Sequence, residues 1–220
     1  MSTGVALNGK HCVRDMGMYL TEADIGEPEV QTNYLAIPGR DGYLDLSTAL
    51  DGETHYKGRE IKLSFETSRR FAGKNWPDLL TQFCALLHGQ SLRLCFDEDP
   101  DWYYTGRGTV TGFTRNGEKL TLKASVYCQP FRLSRQQTAV TADLTTTDTA
   151  ITLVNNGRAV VPTISNTAEA VLTWQGASIA LSAGTHTVTS IRIPAGSSTL
   201  TARTTSGTGT LTVRWNEVTL

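Results

Sequence analysis

The sequence predicts a mainly β protein built in two parts, and three observations carry that expectation. Apolar and polar residues alternate with a period of two in run after run, the pattern of strands with one face buried. Turn-forming pairs such as Asn8-Gly9, Asn116-Gly117 and Gln175-Gly176 separate those runs. The texture then changes near Gln136: before it the chain is rich in charge and aromatics, after it Thr, Ser, Ala and Val dominate and charges are sparse. For a chain of 220 residues a prior of roughly 100–200 residues per domain allows one domain or two. The composition shift decides for two, about 1–134 and 138–220.

In chain order, Asn8-Gly9 proposes a hairpin between two short strands, because Asn and Gly tolerate the positive φ of a tight turn. Pro38-Gly39-Arg40-Asp41-Gly42 is a second tight turn, a type found at subunit contacts and in plain loops alike. From Arg59 to Glu66, Ile61, Leu63 and Phe65 face one way and Glu60, Lys62, Ser64 and Glu66 the other. The run 75–88 breaks the β rule: Trp76, Leu79, Leu80, Phe83 and Leu87 recur at helical spacing, Asn75 offers a cap, Asp78 favours the first turn and Gly89 offers a stop. This helix is expected to pack on a sheet. Leu92, Leu94 and Phe96 resume the alternation before the acidic turn Asp97-Glu98-Asp99-Pro100-Asp101. Strands near 107–115 and 118–128 then form a hairpin, with Asn116-Gly117 as a type I′ turn and Leu120, Leu122, Ala124, Val126 and Cys128 facing the core. Beyond it, Ile151/Leu153, Leu172/Trp174, Ile179/Leu181, Ile191/Ile193, Leu200/Ala202 and Leu211/Val213/Trp215 alternate between turns at short intervals, which argues for a small antiparallel sandwich.

Composition narrows the function. A net charge of −1, from 20 basic and 21 acidic residues, provides no basic field for phosphate backbones or an anionic membrane. No run approaches the roughly 18 apolar residues of a membrane span, and the start lacks a signal-peptide pattern, so a soluble protein made in the cytoplasm is expected. Cys12, Cys84, Cys95 and Cys128 are widely scattered and no Asn-x-Ser/Thr acceptor occurs; four reduced, buried cysteines are expected.

Chemistry-bearing patterns are weak. Asp97, Asp99 and Asp101 hold alternate positions of a calcium-loop pattern, but Trp102 and Gly108 stand where it needs Gly and Glu, so a solvated turn is favoured. A paired-carboxylate hydrolase would draw on Asp97, Asp101, Glu60 and Glu66, each on a turn or a solvent face. His11, His55, His88 and His186 lack metal-ligand spacing, and His11-Cys12 would point to opposite faces of a strand. No nucleophile elbow, phosphate loop or dinucleotide fingerprint occurs, so no catalytic, cofactor or metal residue is assigned. Trp102, Tyr103, Tyr104 and Arg107 offer an aromatic surface for sugar or protein, or cross-strand pairs in a sheet.

Three stretches together resemble the distal tail (Dit) protein family of siphophages and prophages. They are Ile37–Ser47 followed by Tyr56, Arg59, Ile61, Leu63 and Phe65; Asp97 through Arg107 to Cys128-Gln-Pro-Phe-Arg132; and Asn155–Pro162 with the closing Gly209–Glu217. The resemblance covers nearly the whole chain, most strongly 36–132. Gln129 departs from it, since family members often carry an aromatic or Lys there.

The resemblance implies an N-terminal β-barrel- or sandwich-like domain with one helix that forms a homohexameric ring, and a C-terminal galectin-like β-sandwich. It also implies a structural virion protein at the phage tail tip, joining the tail tube protein to the tail-associated lysin or fibre hub. DNA would pass through a central channel without specific binding. On this reading Gly39, Arg40, Asp41, Asp97, Asp99, Asp101, Trp102, Tyr104 and Arg107 are subunit-contact residues, and Gln129, Pro130 and Phe131 an interdomain hinge. The rival readings are a carbohydrate-binding tail protein using the sandwich, although alternation turns Trp174 and Trp215 inward, and a tail-tip hydrolase using the acidic turn.

Overall fold

The computed structural model describes residues 4–49, 52–68 and 75–220. The chain divides into two compact units, Met1–Arg132 and Leu133–Leu220. Each has its own hydrophobic core.

The first unit contains β1 (Val5–Leu7), β2 (Lys10–His11), β3 (Tyr19–Ile25), β4 (Tyr34–Ala36), β5 (Tyr43–Asp45), β6 (Arg59–Ser68), α1 (Trp76–Leu87), β7 (Ser91–Phe96), β8 (Trp102–Asn116) and β9 (Lys119–Cys128). Seven of these strands form an antiparallel sheet in the order β2-β1-β7-β8-β9-β6-β3. The alternation read from the sequence sets its inner face: Ile61, Leu63 and Phe65 of β6, Leu92 and Leu94 of β7, and Leu120, Leu122, Ala124, Val126 and Cys128 of β9 are buried together. Helix α1 covers that face with Leu79, Phe83 and Leu87, while Trp76 and Leu80 pack partly buried beside them. Phe83 meets Phe65 edge-on at 5.2 Å between ring centroids, and Trp76 stacks on Phe113 at 5.6 Å, aromatic contacts that add to simple area burial.

Two local expectations for this unit are corrected. The β8–β9 hairpin turns one residue later than Asn116-Gly117: Asn116 pairs with Lys119, leaving Gly117 and Glu118 as the loop. Gly117 has φ 60° while Asn116 lies outside the positive-φ set. The turn therefore has the type II′ pattern with glycine first, rather than type I′. At the start of α1, Asn75 holds the cap position in extended conformation but its side chain makes no capping bond; Pro77 already lacks one of the N–H groups that a cap would satisfy. Gly89 does take the left-handed conformation expected after the helix, at φ 73°.

The second unit contains β10 (Arg132–Leu144), β11 (Thr149–Asn155), β12 (Thr163–Asn166), β13 (Ala170–Trp174), β14 (Ala177–Leu181), β15 (Gly184–Thr187), β16 (Gly196–Thr204) and β17 (Gly209–Thr219). One sheet runs β15-β12-β17-β10 and the other β11-β16-β13-β14. Both supply the same core, with Ile151, Leu153, Leu172, Trp174, Leu200 and Ala202 from one and Leu144, Ile164, Leu211, Val213 and Trp215 from the other. That is the antiparallel sandwich the strand spacing predicts.

Ile191 and Ile193 are fully buried yet lie outside any strand, held by the single bridge between Val160 and Ile193; their alternation reflects core contact, not strand pairing. Residues 135–137, between the two parts expected from the composition, lie inside the continuous strand β10. Among the cysteines, Cys12 and Cys128 are buried whereas Cys84 and Cys95 are only half-buried, and all four are free thiols. Cys84 sits on α1 outside the buried stripe of Leu79, Phe83 and Leu87.

Candidate assembly surface

Between β3 and β6, residues 29–49 and 52–57 leave the sheet and build a separate ribbon. Its base is a ladder: the Lys57 N–H donates to the Glu29 carbonyl at 2.7 Å, the Gln31 N–H to the His55 carbonyl at 2.9 Å, and Val30 bridges Tyr56. Farther out, the Leu46 N–H donates to the Asn33 carbonyl at 2.8 Å, and β4 and β5 pair from Tyr34↔Asp45 to Ala36↔Tyr43. Asp45 locks this end. Its carboxylate accepts from the Ser47 N–H at 2.8 Å while the Ser47 hydroxyl accepts from the Asn33 N–H at 2.8 Å. The bonds from Ser47 hold the Asp45 carboxyl below its ordinary range, since hydrogen bonds to the charged form favour it.

This arm carries apolar surface that its own chain does not cover. From Glu29 to Asp45 every residue is exposed except half-buried Ile37. Tyr43 is 72 % exposed, Tyr34 58 % and Leu35 49 %. The two tyrosine rings lie 6.4 Å apart on one face, and neither belongs to the core cluster of the first unit. At the tip, Gly39 and Gly42 take φ 78° and 81°, and the Arg40 N–H donates to Ile37 at 3.2 Å. Gly39, Arg40 and Asp41 thus stand exposed at the end of a hydrogen-bonded ribbon. Scattered apolar residues are normal on a surface; several gathered on one projecting element are a feature of interaction sites.

The second group of sequence-predicted residues is placed differently. The acidic turn spans only the connection from β7 to β8, and Trp102 onward is strand, with Tyr104 paired to Leu94 and Arg107 to Ser91. Asp97 accepts from His11 Nε2 at 3.0 and 3.1 Å. The His11 Nδ1 accepts from the Val13 and Arg14 N–H groups at 3.1 and 3.3 Å, which assigns the ring proton to Nε2. Asp99 pairs with Arg132, whose guanidinium lies over the Trp102 ring. Tyr104 is buried and stacks edge-on with Phe96, and the Arg107 Nη1 donates to the Gly89 carbonyl at 2.5 Å. Asp97 and Asp99 therefore bond to different partners, His11 and Arg132, while Asp101 is exposed. Among the described residues no group of three or more His, Cys, Asp or Glu converges as a metal site would. The Cys12 thiol beside His11 is pushed up by burial, and its sulfur accepts from the Val5 N–H at 3.3 Å.

Gln129, Pro130 and Phe131 are fastened to the first unit. The Gln129 N–H donates to Thr105 at 2.8 Å, the Arg59 Nε donates to the Pro130 carbonyl at 2.8 Å, and Phe131 meets Tyr56 edge-on at 5.7 Å. Sequence reasoning missed Arg59 as the anchor. It is only 4 % exposed, and its guanidinium also lies over the Tyr104 ring at 5.3 Å. A charged residue on the inner-facing side of an alternating strand was the available signal. In the second unit, Trp174 and Trp215 are 4 % and 3 % exposed, which removes both from the sandwich surface as sugar-stacking platforms.

No protein-family model and no curated protein matches the chain. Among solved structures, the crystal structure of the Dit protein (gp 19.1) of SPP1, a paradigm of the hub adsorption apparatus in phages infecting Gram-positive hosts, superposes with a TM-score of 0.66. That match is 16 % identical in sequence and covers 100 % of both chains. At that identity the likeness speaks for architecture: this chain is similar throughout its length to SPP1 Dit and shares its mainly β fold.

Proposed function

We propose that this chain is a structural protein of a phage tail, a distal tail protein whose first unit assembles into a homohexameric ring at the tail tip. The ring would join the tail tube protein to the tail-associated lysin or fibre hub and leave a channel through which DNA passes without specific binding. The fold likeness to SPP1 Dit over the full length of both chains is the observation that carries the reading. The exposed arm is what a ring needs in addition: a heterologous contact in which one element of each copy lies on a different surface of the next. Gly39, Arg40 and Asp41 at the tip and the Tyr34–Tyr43 face behind them are assigned as the main contact. Asp101, Trp102 and the outer atoms of Asp97, Asp99 and Arg107 are assigned as its rim.

The role is mechanical, with the stabilising free energy drawn from buried surface rather than from a reaction. Size measurement by native mass spectrometry and light scattering tests it. The expected species is six copies of the 23.9 kDa chain, either free or on addition of the cognate tube and hub proteins. A chain that stays monomeric alone and binds neither would end the reading.

A further inference from the structure

The sequence contains three Asn-Gly steps, Asn8-Gly9, Asn116-Gly117 and Asn156-Gly157, and the fold treats them unequally. At Asn8 both ends of the side-chain amide are occupied by β7: Oδ1 accepts from the Arg93 N–H at 2.8 Å and Nδ2 donates to the Ser91 carbonyl at 3.0 Å. At Asn156 the amide Nδ2 donates to Glu217 at 2.9 Å, and the Gly157 N–H donates to Asn155 at 3.2 Å. Gly157 is also wedged against β17, where a Cβ would stand 2.3 Å from the Val218 carbonyl. Asn116 is exposed at the tip of the β8–β9 hairpin, and among the described residues its side chain has no hydrogen-bond partner. A Cβ on Gly117 would meet nothing within 4 Å.

We infer that Asn116 is a site of spontaneous deamidation, and that the other two Asn-Gly steps are protected by their hydrogen bonds. In the reaction the Gly117 nitrogen loses its proton and attacks the Asn116 side-chain carbonyl carbon. A carbon–nitrogen bond forms, the side-chain carbon–nitrogen bond breaks, and the departing nitrogen takes up protons to leave as ammonia. Water then opens the five-membered imide at either carbonyl, leaving aspartate or isoaspartate at position 116. Glycine favours the step because no side chain obstructs its nitrogen, and the rate rises with pH because that nitrogen must lose a proton. The paired strand conformation at Asn116 must open for the ring to close, and hairpin tips are where such local opening is least costly. The new carboxylate lies beside Glu118 and near the ion pair of Lys119 with Glu66, which measures 2.8 Å.

The test is peptide mapping by mass spectrometry after incubation of the folded protein at mildly alkaline pH, following the gain of about 1 Da that replaces an amide NH2 by OH. Conversion at Asn116 is expected to be at least about tenfold faster than at Asn8 and Asn156, a ratio set by local opening. In urea the three sites are expected to converge. Glu217→Ala, which frees the Asn156 amide, is expected to raise conversion at Asn156 alone; Asn116→Gln is expected to abolish the major product. Equal rates at the three sites in the folded protein would overturn the inference. So would an unmodified Asn116, or an Asn116 preference that persists unchanged in urea. None of these readouts depends on ring assembly.

Discussion

Arg59 and Cys128 pair across β6 and β9, and together they illustrate what a burial pattern does to ionisable groups. Burial is the main cause that pushes the Cys128 thiol up to about 12, and the Arg59 charge only partly opposes it. Folding therefore favours the protonated thiol. Below the ordinary value of 9.0 both folded and unfolded chains hold this proton and the group adds no pH dependence. Above it the unfolded chain ionises first, so stability falls as pH rises from about 9 toward about 12. Urea midpoints at about pH 8 and about pH 10.5 should fall less steeply with pH in Cys128→Ala than in the parent, and identical slopes would refute the assignment. On the other side of Cys128, where β8 pairs with β9 through Gly106, a Cβ on Gly106 would stand 2.4 Å from the Tyr127 carbonyl and 2.7 Å from Cys128. Gly106→Ala should therefore cost about 1–3 kcal/mol, as overpacking does, read as a lowered urea midpoint. The inward alternation of Cys128 was legible in the sequence. The pairing of His11 with Asp97, 86 positions apart, was not, because only the sheet order brings β1, β2 and β7 together.

At the level of elements, periodicity was the reliable signal and turn chemistry the less reliable one. The strands of β6, β7 and β9 and the apolar stripe of α1 appear where alternation and helical spacing place them, because one face of each must reach the same core. Turns depend on a single residue of register. Asn8-Gly9 forms the expected two-residue loop between Leu7 and Lys10, with φ 50° and 83°. Gly117 instead takes the first loop position, which keeps Asn116 in the ladder. Gln175-Gly176 closes β13 on β14 with φ 48° and 83°, a type I′ turn in which glutamine occupies a position that favours asparagine. Gln175→Asn should therefore stabilise the second unit by about 0.5 kcal/mol, seen as a small rise in its thermal midpoint. A fall would mean that Gln175 makes a compensating contact on the native turn.

For the molecule as a whole, the composition change near Gln136 pointed to two parts, about 1–134 and 138–220, and the two compact units divide between Arg132 and Leu133, with no break in the strand there. Polar, Thr-rich sequence is as compatible with the exposed face of a strand as with a linker, and here β10 runs through it. The Pro38–Ser47 turn and the Asp97–Arg107 stretch are both contact candidates in the sequence; in the structure Tyr104 of the second is buried and Asp97 and Asp99 are each bonded to a neighbour, while the first lies within 29–49, whose uncovered large residues include Tyr34, Leu35 and Tyr43. Such residues read as core in a sequence, and only the absence of a covering layer reveals them as surface. The proposed assembly makes a prediction that separates folding from association. Tyr34 and Tyr43 lie outside the first unit's core, so replacing both with serine should leave the urea midpoint of the dilute subunit within about 0.5 kcal/mol of the parent, as for surface substitutions. The same change removes two large aromatic anchors from the proposed contact, the residue type that carries most interface energy. Sedimentation of the variant at concentrations where the parent forms rings should then give only the subunit. If the variant assembles as readily as the parent, the arm is not the contact; if it unfolds, the arm belongs to the fold.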